Sequence, residues 1–362
     1  MVLQRSALHS VSEGSGAKFH ERFGWELPAA YFDVLTEYQA ATTGAALHDI
    51  SYTGRLKATG ADGLDLLNRL STNKVIDLET GQGAPTVLTT DRGRILDVIG
   101  VINLGGHILL TTSPGLQQPV IDWLDKYTIM EDLTVEDITA DTAMLAVLGP
   151  DSATALEAAT GGQDLADLAP FHALQVDIGG VPVTLINQPL GALPGFALVM
   201  EPKDATQVWE RLTALGACPT GIDAYEAVRV RYGVPIHGPE MGEPYNPLEA
   251  GLIGSIDFAK GCYIGQEVIA RLDTYNKVQK RLVSLRFSPD AAPSTGIELR
   301  DEGKKVGTVT SAVTLPTTEE TIGLGYVRTG SARVGVKLEL ADPEGAWAEV
   351  LDLPELFGPE KS

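Results

Sequence analysis

Twice along this chain strand-like and helix-like apolar patterns are interleaved, and then they give way to short strands alone. A period that alternates between two and about 3.6 residues restricts a chain to helices layered on sheet. The first run opens with helical spacing over residues 28–47 (Tyr31, Phe32, Leu35, Tyr38), ending near Gly44. A short strand at 54–60 follows His48-Asp49-Ile50-Ser51, and Asp62 stands where a helix through Leu64, Leu67 and Leu70 needs a cap. Residues 85–90, 95–103 and 107–112 read as strands, divided by Asp91-Arg92-Gly93 and Leu104-Gly105-Gly106. A helix at 119–127 and strands at 135–138 and 143–148 complete the run.

The second run follows Gly149-Pro150. Helices are expected at 152–160, 204–215 and 223–232, and strands at 174–178, 181–187 and 196–200. A Gly/Pro/Asn-rich loop at 233–247 then intervenes, of a length often reserved for function. From Arg281 onward only strands and turns remain, and Asp301-Glu302-Gly303-Lys304 has hairpin composition. The expected organisation is a flexible lead-in at 1–25 (Ser10 to Ala17 reads SVSEGSGA), α+β regions at 26–148 and 149–280, and an all-β barrel or sandwich at 281–362.

Composition excludes several classes. With 27 basic and 48 acidic residues the net charge is −21, which opposes non-specific binding to nucleic acid or anionic membrane. Two cysteines cannot build a disulfide framework, and no apolar run approaches a membrane span. A reduced, cytoplasmic setting is expected.

Cys262 stands in Lys260-Gly261-Cys262-Tyr263-Ile264-Gly265-Gln266-Glu267, just ahead of a helical pattern at Ile264, Val268 and Leu272. A thiol beside an ammonium and a helix N-terminus is where a lowered pKa and reactive sulfur are expected. Lys260, Arg271, Lys277, Lys280 and Arg281 also face only Asp257, Glu267 and Asp273 locally, a basic island suited to an anionic ligand or polyanionic tail. Gly261 and Gly265 have a plain reading as backbone-conformation residues, and Glu267 and Arg271 have the spacing of a helical ion pair. His48-Asp49 invites acid–base chemistry, but neighbours on a strand point to opposite faces, so a structural role is favoured.

Four further stretches carry a resemblance: GAALHDISYTGRL at 44–56, residues 64–96, PYNPLEAGL at 244–252, and 307–327 with GTVTSAV and IGLGYV at its ends. The chain resembles the superfamily of the glycine-cleavage T-protein, a tetrahydrofolate-dependent aminomethyltransferase, and its relative YgfZ. That resemblance implies two ferredoxin-like α+β units and a C-terminal β-barrel around a central folate-sized hole. The octapeptide with Arg271 looks like the YgfZ hallmark, since T-proteins have no cysteine there. It implies a tetrahydrofolate-binding accessory protein for iron–sulfur cluster assembly or repair, with indirect effects on tRNA modification, meeting cluster client or assembly proteins. Cys262 would be its working group and a transient cluster ligand, with Lys260 beside it and Tyr263 and Gln266 as motif residues; no resident metal is implied.

The alternative is a one-carbon enzyme of the aminomethyltransferase or demethylase type. The resemblance makes Asp97 the acid at the folate, although the family's Asp-Asp pair reads Asp97-Val98 here. It makes Arg229 and Asn246 folate-binding candidates. The family's Gly-Glu-Asp-Gly turn, whose glutamate grips the pterin, is replaced at 191–196 by Gly-Ala-Leu-Pro-Gly-Phe. Leu193 and Pro194 cannot accept the paired hydrogen bonds a carboxylate accepts, so either that grip is lost or another acceptor supplies it.

Overall fold

The computed structural model describes residues 3–289, 291, 293–343 and 345–351. Where a flexible lead-in is expected over 1–25, residues 3–25 carry a packed helix and a strand hairpin. Helix α1 (His9–Gly14) is anchored by buried Leu8 and Ser12, and the Ser12 hydroxyl lies 2.8 Å from that of Tyr31. Strands β1 (Lys18–Arg22) and β2 (Trp25–Ala30) pair as a hairpin whose tip, Phe23-Gly24, has φ of 56° and 76°. The composition hid this because the anchors are one leucine and one serine. The helix expected from residue 28 begins later, as α2 (Val34–Thr43), where the Asp33 carboxylate accepts from Thr36 N–H at 2.9 Å. It ends at Gly44 as its spacing predicts, and β3 (Ala46–Asp49) follows.

The first α+β unit comprises β4 (Gly54–Thr59), α3 (Gly63–Leu70), β5 (Gly83–Thr89), β6 (Ile95–Asn103), β7 (Ile108–Thr112), α4 (Gln117–Tyr127) and β8 (Thr134–Asp137). Its sheet runs β5-β6-β7-β4-β8, and α3 and α4 bury Leu66, Leu67, Leu70, Val120 and Leu124 against it. The second unit adds β9 (Ala143–Leu148), α5 (Ser152–Ala159), β10 (Ala173–Ile178), β11 (Val181–Asn187), β12 (Gly195–Met200), α6 (Ala205–Ala214), β13 (Cys218–Pro219) and α7 (Ile222–Arg231). Its sheet order is β10-β11-β12-β9-β3-β13. Thus β3 and β9, which the sequence boundaries assign to region 26–148, hydrogen-bond into the second sheet and interlock the units. Local periodicity marks a strand but not its partner.

Helix α8 (Gln266–Thr274) precedes the barrel of β14 (Lys280–Phe287), β15 (Glu298–Asp301), β16 (Lys304–Thr314), β17 (Thr321–Arg328), β18 (Lys337–Leu340) and β19 (Trp347–Leu351). It closes in the order β14-β17-β16-β15-β18-β19, with β19 back on β14. Glu302-Gly303 forms the expected hairpin turn, with φ of 49° and 75°. Residues 352–362 of the expected C-terminal region lie outside the described residues.

Glu37, fully buried on α2, joins the N-terminal segment to the second unit. Its carboxylate accepts from Tyr31, Phe32 and Gly221 N–H at 2.6, 2.8 and 2.7 Å. Each donor orphaned in the interior costs about 1–3 kcal/mol. Glu37→Ala should therefore lower the unfolding free energy in urea by at least about 3 kcal/mol; a loss under about 1 kcal/mol would contradict this linkage role.

Candidate active-site cleft and cysteine turn

The Phe23 tip, the loops after β3 and β7, α7 and residues 235–241 enclose a cleft of about 140 Å³. Phe23 stacks on Tyr52 with ring centroids 5.3 Å apart, and Tyr225 stacks on His48 behind the wall at 4.5 Å. Burial pushes the His48 imidazole down to about 4, so it is neutral at physiological pH. Neutrality fixes the hydrogen bonds: Nδ1–H donates to Thr220 O at 2.8 Å, and the Tyr52 hydroxyl donates to Nε2 at 3.2 Å. Burial also pushes the Tyr225 hydroxyl up to about 12 and raises that of Tyr52, keeping both protonated. Asp49 turns elsewhere, accepting from the Ser6 hydroxyl at 2.5 Å and Ser51 N–H at 3.0 Å. The His-Asp pair is structural, as its strand spacing implied. Phe23, Tyr52 and Tyr225 went unnoticed because no local pattern distinguishes a cleft aromatic from a core one.

Asp97 sits behind this cleft on β6, completely buried. Its carboxylate accepts from Val98 N–H and Ser113 N–H, each at 2.9 Å, and Ser113 lines the cleft. Burial lifts the carboxyl to about 7, against the opposing pull of the Ser113 and Val98 hydrogen bonds. A carboxyl near 7 serves as base or acid at neutral pH.

Arg229 also lines the cleft but is committed inward. Its guanidinium donates to Glu226, to the Ser311 hydroxyl at 2.7 Å and to Val234 O at 2.9 Å, with Glu240 at 3.6 Å. Its Nε–H is buried without a hydrogen-bond partner. Asn246 is not among the lining residues; its Oδ1 accepts Glu249 N–H at 3.0 Å while its own N–H donates to the Glu249 carboxylate at 3.2 Å. That reciprocal pair caps a turn, so the structure gives Asn246 a local role. Leu193 is buried in the core and Pro194 is exposed.

The cysteine turn lies apart from the cleft lining. Cys262 and Gly261 are exposed, whereas Lys260 is 7% exposed. The Lys260 ammonium does not serve the thiol. It donates to the carbonyls of Asn68, Ser71 and Asn73 at 2.7, 2.8 and 2.6 Å, closing the C-terminal end of α3. Burial lowers it to about 8, still charged at neutral pH. Sequence proximity suggested a thiol partner because it cannot show which way a lysine turns.

Around this anchor Tyr263 is buried, Ile264 N–H donates to Arg69 O at 3.1 Å, and the Thr89 hydroxyl donates to Ile264 O at 2.6 Å. Gly265 caps α8 with φ of 85°, and a Cβ there would stand 2.6 Å from Thr90 O, so the close approach requires glycine. Gln266 and Glu267 begin α8. Glu267 and Arg271 are exposed, and no ion pair joins them among the described residues. No group of three or more His, Cys, Asp or Glu side chains placed to hold a metal ion occurs among the described residues, and no described helix is long and apolar enough to cross a membrane.

Two interlocked α+β sheets, a cleft backed by a buried carboxyl and a closed C-terminal barrel make up an aminomethyltransferase-type fold. Residues 8–260 match the GCVT N-terminal domain and residues 280–354 the glycine cleavage T-protein C-terminal barrel domain; the chain belongs to this family. It is 35% identical over 297 residues to a chloroplastic candidate transferase of Arabidopsis thaliana, spanning 82% of this chain and 68% of that one. It is 29% identical over 349 residues to an aminomethyltransferase of Symbiobacterium thermophilum, spanning 93% of each. The fold matches that of glycine cleavage system aminomethyltransferase T from Bartonella henselae with a TM-score of 0.86 at 23% identity, over 98% of each chain. Cys262 lies between the two matched stretches.

Two outcomes follow from these placements. The native Asp97 carboxyl holds its proton up to about 7 against an ordinary 3.8, so the folded state binds more protons in between. Its contribution to stability is full below about pH 4 and lost as pH rises through 7. The Tm of wild type relative to Asp97→Asn should fall by several degrees from pH 4.5 to pH 8 in calorimetry; a constant difference would exclude it. Lys260→Met should cost about 1–3 kcal/mol and free the turn. A nitroxide on Cys262, in a Cys218→Ser background, should change from immobilised to mobile in its resonance spectrum.

Proposed function

We propose that this chain is a tetrahydrofolate-binding accessory protein for iron–sulfur cluster assembly or repair, of the YgfZ type, acting through Cys262 in a cytoplasmic setting. The observation that carries the reading is how the thiol is mounted. It is exposed, yet its turn is fixed by the Lys260 anchor, buried Tyr263 and the Gly265 cap. A free packing cysteine would be buried instead. One thiolate cannot hold a cluster that takes about four ligands, so a client or assembly protein would supply the others. The effect on tRNA modification would pass through cluster-dependent enzymes.

Aminomethyltransferases of this family bind tetrahydrofolate, and the residues of this cleft suit that group. Phe23, Tyr52 and Tyr225 offer ring faces, and the orphaned Arg229 Nε–H offers a buried donor. Asp97 would hold or move a proton at its carboxyl behind Ser113. When bound, the folate supplies a nitrogen that carries one-carbon units. At 140 Å³ the cleft is smaller than the ~300–1,000 Å³ of pockets that enclose a whole drug-sized ligand, so it suits the ring system with the tail outside.

In a deletion strain, Cys262→Ala should fail to restore the activity of a four-iron-cluster enzyme that the wild-type chain restores; full restoration would end the reading. The buried carboxyl near 7 favours a second reading, a one-carbon transferase. Under that reading the chain forms methylene-tetrahydrofolate from an aminomethyl donor, at a rate that rises as pH passes 7 and is abolished by Asp97→Asn.

A further inference from the structure

The basic island visible in the sequence is divided by the fold. Lys260 is withdrawn beneath α3, but Lys280 gathers with two cations from distant segments. Its ammonium lies 4.2 Å from the Tyr245 ring centroid and 5.1 Å from that of Tyr326, rings that stack in parallel 3.9 Å apart. It donates to Pro244 O at 3.4 Å, and Arg94 donates to the same carbonyl at 3.3 Å. Directly across the barrel ladder from Lys280 is Arg328, which is exposed. Residues opposite each other in an antiparallel pair project from the same face, and like charges there are destabilising.

Lys280 thus lies on the aromatic stack, Arg94 shares its carbonyl, and Arg328 stands across the ladder from it. The carboxylate facing them is Glu249, 3.6 Å from Arg94. Burial raises the Glu249 carboxyl above its ordinary value, against the opposing pull of Asn246, Lys280 and Arg94. Glu240 is engaged inward by Arg229 and Ser311. On a chain of net charge −21, three cations facing one carboxylate are a local positive excess. It also adjoins the cleft, because Tyr245 packs in one apolar cluster with Met241, a cleft-lining side chain.

We propose that Arg94, Lys280 and Arg328 form a carboxylate-binding patch outside the cleft that holds the anionic tail of the cleft's ligand, a poly-γ-glutamyl chain if that ligand is a folate. The proposal rests on the folate reading. It assigns the tail to exposed cations, whereas Arg229 is committed to internal partners. Charge-assisted bonds to several carboxylates strengthen with each glutamate and weaken with salt.

Isothermal titration of the full-length protein with tetrahydropteroic acid, tetrahydrofolate and its tri-γ-glutamyl form tests this. Wild type should bind the triglutamyl form about tenfold or more tighter than the tail-less form at low salt, with the increment shrinking at high salt. Lys280→Gln combined with Arg328→Gln should abolish the increment while tail-less binding stays within about twofold. Arg94→Gln, in a separate segment, should reduce the increment independently. Equal binding of tailed and tail-less forms by wild type, or an intact increment in the variants, overturns the patch and leaves the folate reading standing. No binding of any of the three by wild type overturns both.

Discussion

The N-terminal hairpin, the second α+β unit and the barrel meet around a buried guanidinium. Arg229 projects from α7 and draws together Glu226 of its own helix, Glu240 and Val234 of the 233–247 loop, and Ser311 of the barrel. Glu226 reaches on to Arg22 at the hairpin end, at 2.5 Å, and the Glu240 carbonyl accepts from the Tyr326 hydroxyl at 2.6 Å. A charge taken out of water is tolerated only when partners surround it, and removing one of them strands the rest. Hairpin, helix, loop and barrel are thereby obliged to converge. The cleft is the space left where they do, with one guanidinium N–H still unpartnered beside it.

Asp97 depends on the same enclosure. Its carboxyl is lifted by burial and steadied by two backbone donors, so its chemistry follows from how completely the first sheet is covered. The cysteine turn is built on a different logic. It is fastened from below by an ammonium spent on three helix-end carbonyls, which leaves the thiol in solvent. One region therefore withdraws its carboxyl from water and the other leaves its thiol exposed, and no residue of the cysteine turn lines the cleft.

Features set by local chemistry were legible in the sequence. The cap of α8 at Gly265 and the Glu302-Gly303 hairpin are fixed by left-handed backbone conformations that few residues adopt, and α2 ends at Gly44 where its apolar spacing stops. Asp97 and Cys262 are candidates on motif resemblance, not on periodicity. What stayed hidden was long-range. β3 crosses into the second sheet, Lys260 turns toward α3, Arg229 reaches Ser311 of the barrel, and Leu8 beside α1 packs into the core of the second unit. Each depends on a partner dozens to hundreds of residues away, which no window of sequence contains. The cleft aromatics share that limit, since Phe23, Tyr52 and Tyr225 come together only when the hairpin, a loop and α7 have docked.

A crystal structure of the protein soaked with tetrahydrofolate tests the proposal that the folate ring occupies the cleft while Cys262 remains outside it. Ring density is expected against Tyr52 and Tyr225, with an acceptor at Arg229 Nε and the Cys262 sulfur in solvent. Density for the ring at the cysteine turn, or a cleft that stays empty at saturating ligand, would contradict it.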